Sequence, residues 1–218
     1  MVQLKLPAKA LVNKNIPKKK FYEKLQAGKS LKAKFVQQVD HIVWKYKLSR
    51  DTVNISPAKD IEEIQVFEVH LKEKPLSREV LDCIDRAIPY PILFVLIYLD
   101  EYQLAVAYKQ RSRQHEDKSI VDSYYFSDWY DHNTEAFEIL KGLDLRAVYE
   151  NMVRALMPGQ QTHDKSLQEA VDRQKQAQSL QREIARLEAK IKKENQFNRK
   201  VEYNLKLQTK LKELKDIS

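Results

Sequence analysis

Residues 92–99, Ile-Leu-Phe-Val-Leu-Ile-Tyr-Leu, form eight consecutive positions without a charge. A run of that length, rich in β-branched and aromatic side chains, reads as a strand buried on both faces. Asp100-Glu101 follows as a turn. Gln103, Ala105 and Ala107 then alternate with Leu104, Val106 and Tyr108 as the second strand of a hairpin. A hairpin buried this deeply belongs at the centre of a sheet, so the rest of the chain must supply flanking strands and covering helices.

Alternation recurs at 62–72, where Gln65, Phe67, Val69 and Leu71 share one face and Ile64, Val66, Glu68, His70 and Lys72 the other. Residues 120–126 predict a further strand, with Tyr124, Tyr125, Trp129 and Tyr130 as an aromatic cluster of core and rim. Thr52 to Ile55 suggests an edge strand. Helical spacing appears at 31–48 (Phe35, Val36, Val39, Ile42, Val43, Tyr46), at 76–87 behind Ser77, and at 143–157 before Pro158-Gly159. The expected fold is α+β: a mostly antiparallel sheet of four to five strands with flanking helices, followed by a long C-terminal coiled-coil helix.

Charge divides the chain of 218 residues into three. Residues 1–34 carry ten lysines and one acid, residues 35–164 carry 15 basic and 22 acidic side chains, and residues 165–218 carry 14 basic and eight acidic. The expected organisation is a basic arm over 1–34, a core domain over 35–158 and a coiled coil over 166–218, joined by a polar linker at 159–165. Lysine makes sequence-blind phosphate contacts, so Lys14, Lys18, Lys19, Lys20 and Lys24 are candidate nucleic-acid ligands. An arm docked on the acidic body, or merely solvated, fits the same composition. In the tail, Leu180, Ile184, Leu187 and Ile191 step by four, three and four, as in a coiled-coil seam. The pattern breaks at 194–198, and Phe197 and Val201 resume on a shifted face. These six residues are candidate partner contacts, whether to a second copy, to a larger protein, or to the other half of the tail.

Several enzyme classes find no support. Three glycines leave no phosphate-binding loop, and one cysteine leaves no internal disulfide or cysteine-based zinc cluster. No apolar segment approaches 18 residues and no signal peptide is evident, which predicts a cytoplasmic protein without membrane contact. One catalytic arrangement is worth weighing. A restriction-endonuclease core holds Mg²⁺ with an acid on one strand and Glu-x-Lys on the next. Glu68, His70 and Lys72 share a face, but Lys72 lies four residues from Glu68, and Asp60 is the nearest candidate for the second acid.

The stretches 16–23 (Ile-Pro-Lys-Lys-Lys-Phe-Tyr-Glu), 42–48 (Ile-Val-Trp-Lys-Tyr-Lys-Leu), 63–68, 84–90, 143–151 and 196–202 resemble a bacterial and archaeal family, the domain-of-unknown-function family numbered forty-three ninety-one. The resemblance carries no catalytic residues to transfer. It implies a context: accessory proteins encoded with a DNA methyltransferase and a superfamily-two helicase, as in restriction-type antiphage defence. The favoured expectation is therefore a non-catalytic subunit without cofactor, holding a helicase or methyltransferase, or a second copy, through the coiled coil and nucleic acid through the arm. The alternative is a Mg²⁺-dependent nuclease using Glu68, His70 and Lys72.

Overall fold

The computed structural model describes residues 4–58, 60–111, 119–131, 137–158 and 166–217. The expected linker at 159–165 lies outside them. The chain divides into two units, residues 1–158 and 159–218.

The first unit is built on a six-stranded mixed sheet whose spatial order follows the chain: β1 (Leu11–Asn15), β2 (Val39–Ser49), β3 (Glu63–Leu71), β4 (Ile92–Tyr98), β5 (Glu101–Arg111) and β6 (Ser119–Asp131). All neighbours are antiparallel except β3 and β4, which run parallel. A parallel pair needs a crossover, and α4 (Arg78–Ala87) provides it. The expected α+β class is correct, whereas the sheet has six strands, not four or five. The apolar run is β4, with Ile92 to Leu96 at most 1% exposed. Its hairpin turns one residue earlier than expected, at Leu99-Asp100, with Leu99 at φ 53°.

The largest departure from the sequence reading is at 39–48. The helix expected over 31–48 ends early, as α2 (Lys29–Gln38), and β2 begins at the next residue. The cause is a pair of bulges, one between Val39 and His41 and one between Trp44 and Tyr46. Each inserts an extra residue, Asp40 and Lys45, into an otherwise alternating strand. The first puts Val39 and Ile42, three apart, on one face and so imitates a helical step. Nor is 52–55 a strand. Residues 50–53 form the short helix α3 (Arg50–Val53), whose Ser49 and Thr52 make a capping box.

The lysine-rich segment folds into this unit. Its β1 pairs with β2, and α1 (Lys19–Lys24) buries Phe21. Phe21 and Phe35 of α2 join Val80, Leu81 and Ile84 of α4 over Phe67, Phe94 and Ala105 of the sheet. The intervening strand residues, including Val66, Val95, Leu104 and Val106, are buried on the opposite face. There α5 (Leu145–Leu156) packs, its N-terminus capped by Asp144 accepting from the Ala147 N–H at 2.8 Å.

The second unit contains α6 (Leu167–Lys193) and α7 (Phe197–Ile217). The interruption expected at 194–198 is a turn, with Glu194 Oε1 accepting from the N–H groups of Asn195 and Gln196 at 2.9 and 3.0 Å. Lys210 reaches Glu183 at 3.3 Å and Lys190 lies 5.8 Å from the Tyr203 ring. Those pairings order α6 and α7 as an antiparallel hairpin, so of the expected partners for the stripe on α6 it is the other half of the tail that covers Leu180 and Ile184.

Candidate functional site

The bulges that disguise β2 also build the polar cluster on the α5 side of the sheet. Bulges re-aim side chains, and the extra residue Lys45 directs its amine to Glu68 Oε2 at 3.2 Å. His70, two residues along β3, has Nε2 3.8 Å from the same oxygen. Across the ladder from His70 is His41, and the two rings stack with centroids 3.9 Å apart and 13° between planes. His41 Nδ1 hydrogen-bonds Asp40 at 2.8 Å. Burial would raise the Glu68 carboxyl, but His70 and Lys45 outweigh it and hold it below the ordinary carboxylate range.

Glu68 and His70 are thus brought together, as the alternation predicts. Lys72 is not, because its amine donates to the Val36 carbonyl at 3.0 Å. Asp60 is held by Arg146 of α5. A magnesium ion asks for near-octahedral oxygen ligands, whereas Glu68 is already occupied by an ammonium and an imidazole. Among the described residues no three His, Cys, Asp or Glu side chains converge to hold a metal. These residues do not fit a magnesium ion.

The cluster holds β2 to β3 electrostatically. Glu68→Gln is expected to cost about 1–3 kcal/mol at neutral pH, since it leaves Lys45 half-buried without its counterion. A carboxyl held low stabilises the fold above the ordinary carboxylate range, and that contribution is lost as pH falls through its depressed value. The substituted protein should therefore show a flatter acid limb in a denaturant series run between neutral pH and pH 3. Parallel curves for the two proteins would refute this role.

A second polar cluster, which the sequence reading missed, lies on the α4 side. Lys109 of β5 and Asp85 of α4 form an ion pair at 2.8 Å, with side chains 4% and 0% exposed. The Lys109 amine also donates to the carbonyls of Tyr90 at 2.7 Å, Asp85 at 3.1 Å and Ile88 at 3.2 Å. Tyr124 of β6 donates to Asp85 Oδ2 at 2.6 Å. Burial pushes the Asp85 carboxyl up and the Lys109 ammonium down, each opposed by its partner. The carbonyls that converge on the amine favour its charged form, so the pair is a clamp tying the end of α4 and the 88–90 connection to β5. Nearby, Tyr149 of α5 accepts from Lys109 N–H at 2.7 Å and donates to the Ala107 carbonyl at 2.6 Å, filling the irregularity in the β5–β6 ladder. Burial and Asp82 push the thiol of Cys83 in α4 up to about 11, which disfavours the thiolate.

The five candidate nucleic-acid ligands divide. Lys14, Lys19 and Lys20 are exposed. The Lys18 amine donates to Val39 O at 2.6 Å, and burial and the neighbouring Lys72 push its pKa down. Lys24 is exposed as a residue, though its amine donates to Ala87 O at 2.6 Å. Other exposed lysines of the segment are Lys5, Lys9, Lys29 and Lys32. In the hairpin, Leu180 and Ile184 are buried and Leu187 and Ile191 half-buried, whereas Phe197, Val201 and Leu205 are 77%, 42% and 66% exposed.

These features describe an α+β protein whose polar clusters brace the sheet and whose exposed groups are lysines and a helix-borne apolar stripe. The chain belongs to the family described as domain of unknown function DUF4391, whose family model matches residues 4–214. Neither the curated proteins nor the solved structures yield a match.

Proposed function

We propose that this chain is a non-catalytic accessory subunit that contacts nucleic acid through its N-terminal lysines and a protein partner through its C-terminal hairpin. The resemblance drawn from the sequence supplies the setting, a restriction-like antiphage defence complex in the cytoplasm with a helicase or DNA methyltransferase as the partner. The observation that carries the reading is the eight exposed lysines of residues 4–34, anchored on a folded unit rather than strung along a loose arm. Anchored cations lose less conformational freedom on meeting phosphate, and phosphate contacts of this kind do not read sequence. The exposed steps of four at Phe197, Val201 and Leu205 support the protein-binding half, since a helix presents such residues to a partner groove or helix.

The test is Lys19→Gln with Lys20→Gln, chosen because neither amine serves the fold. On duplex DNA the slope of log affinity against log salt should become shallower by about 2. The melting temperature should not move. An unchanged slope would refute the lysines' role.

A further inference from the structure

The α4 side of the sheet continues past α4 onto the edge strand β6, and there it is aromatic. Cross-strand partners place Trp129 opposite Gln103, Phe126 opposite Ala105 and Tyr124 opposite Ala107. The three rings therefore stand in a row on one face, spaced by roughly 7 Å per two residues of strand. Tyr124 and Phe126 have centroids 6.3 Å apart. Phe126, in the middle, is 42% exposed. A cation lies over each outer ring: the Arg78 guanidinium is 5.4 Å from the Tyr124 centroid, and the Lys74 amine is 4.5 Å from that of Trp129 and 5.4 Å from that of Tyr98. The small partners Ala105 and Ala107 leave the rings standing above the neighbouring strand.

The lysine-bearing helices are on this same face. Phe21 of α1 and Phe35 of α2 pack in one cluster with α4, Tyr124 and Trp129. Lys34 bonds Glu79 of α4 at 2.7 Å, so α2 abuts α4 directly. Acids are present too. Glu101 is paired with Lys74, Asp82 with Arg86, and Asp128 and Asp131 are exposed at the Trp129 end. Asp85 also accepts from the Tyr124 hydroxyl, so each end of the row carries both a cation and an acid.

From this we propose that Phe126, with Tyr124 and Trp129, is a stacking platform for unpaired bases, so that this protein prefers single-stranded nucleic acid to duplex. This rests on the nucleic-acid reading above and narrows it. Every base has a π-face, so aromatic rings on a sheet bind single strands without reading sequence, while nearby cations hold the phosphates. A duplex cannot use the platform, because its bases are stacked on one another. Cations poised over the outer rings suit a polyanion with aromatic bases. Phe126 is available as it stands, and Lys74 gives up the Trp129 face when a base takes it.

The experiment measures binding of the whole protein to a fluorescein-labelled dT20 strand and to a 20-base-pair duplex, by anisotropy at one salt concentration and across a salt series. Loss of one stacked base is worth about 1–3 kcal/mol, so Phe126→Ala should weaken dT20 binding about five- to a hundredfold. It should leave duplex binding and both salt slopes unchanged. Phe126→Trp should retain tight dT20 binding, which a merely structural role for Phe126 would not require. If Phe126→Ala binds dT20 like the wild type while Lys19→Gln with Lys20→Gln weakens both ligands, the platform is wrong and the lysine contact stands. If the wild type binds neither ligand, both readings fall.

Discussion

Lys109→Met should be among the most destabilising single substitutions in the chain, costing about 3–5 kcal/mol and lowering the melting temperature on the order of 10 °C. The side chain it removes is 4% exposed and meets a carboxylate that is 0% exposed. Methionine fills much of the same volume, so the loss is not chiefly a cavity. What remains is a buried Asp85 charge without its counterion, together with the carbonyls of Ile88 and Tyr90 deprived of a donor. Removing both charges, as Lys109→Met with Asp85→Leu, should recover a large part of the loss, since a buried pair replaced by apolar groups is often close to neutral. Thermal melts of the three proteins decide the matter. A Lys109→Met protein that melts with the wild type would show that the clamp carries no stability.

The second large effect concerns the hairpin, where two substitutions that look alike should act differently. Ile184 is 8% exposed, and a glutamate there must bury a charge or force the helices apart. Ile184→Glu should reduce the helical signal of the second unit, and partner binding should fail with it. Phe197 and Leu205 are exposed, so Phe197→Glu with Leu205→Glu should leave the helical content intact. It should nonetheless abolish co-purification with a helicase or methyltransferase expressed beside it. Each large side chain buried at an interface is worth about 1.5–3 kcal/mol, so losing both weakens a contact by at least about a hundredfold. Circular dichroism and a pull-down separate the two cases. Retained capture by the doubly substituted hairpin would move the protein interface elsewhere.

Legibility in the sequence followed the length and regularity of each pattern. The β4 run was plain because both faces are buried, and β3 because nothing interrupts its alternation. The strand β2 was misread because Asp40 and Lys45 are inserted residues, and a bulged strand acquires the three-residue steps of a helix. The strand β1 was hidden in lysines, because an edge strand of five residues buries almost nothing. For the polar clusters, Glu68 and His70 were found because they lie two apart on one strand. The pairing of Lys109 with Asp85 joins residues 24 positions apart and left one clue. Lys109 continues the face of Gln103, Ala105 and Ala107, so the alternation itself sends its amine towards the helix layer. The tail's interruption was visible at 194–198, but an apolar stripe does not say whether a neighbouring helix belongs to the same chain.

The central claim, that the N-terminal lysines hold nucleic acid, is tested most directly by the salt dependence of binding of the unmodified protein to a 20-base-pair duplex. If roughly five lysines meet phosphate, log affinity should fall against log salt with a slope of about −4 to −5. A slope near zero, or no binding at low salt, would contradict it.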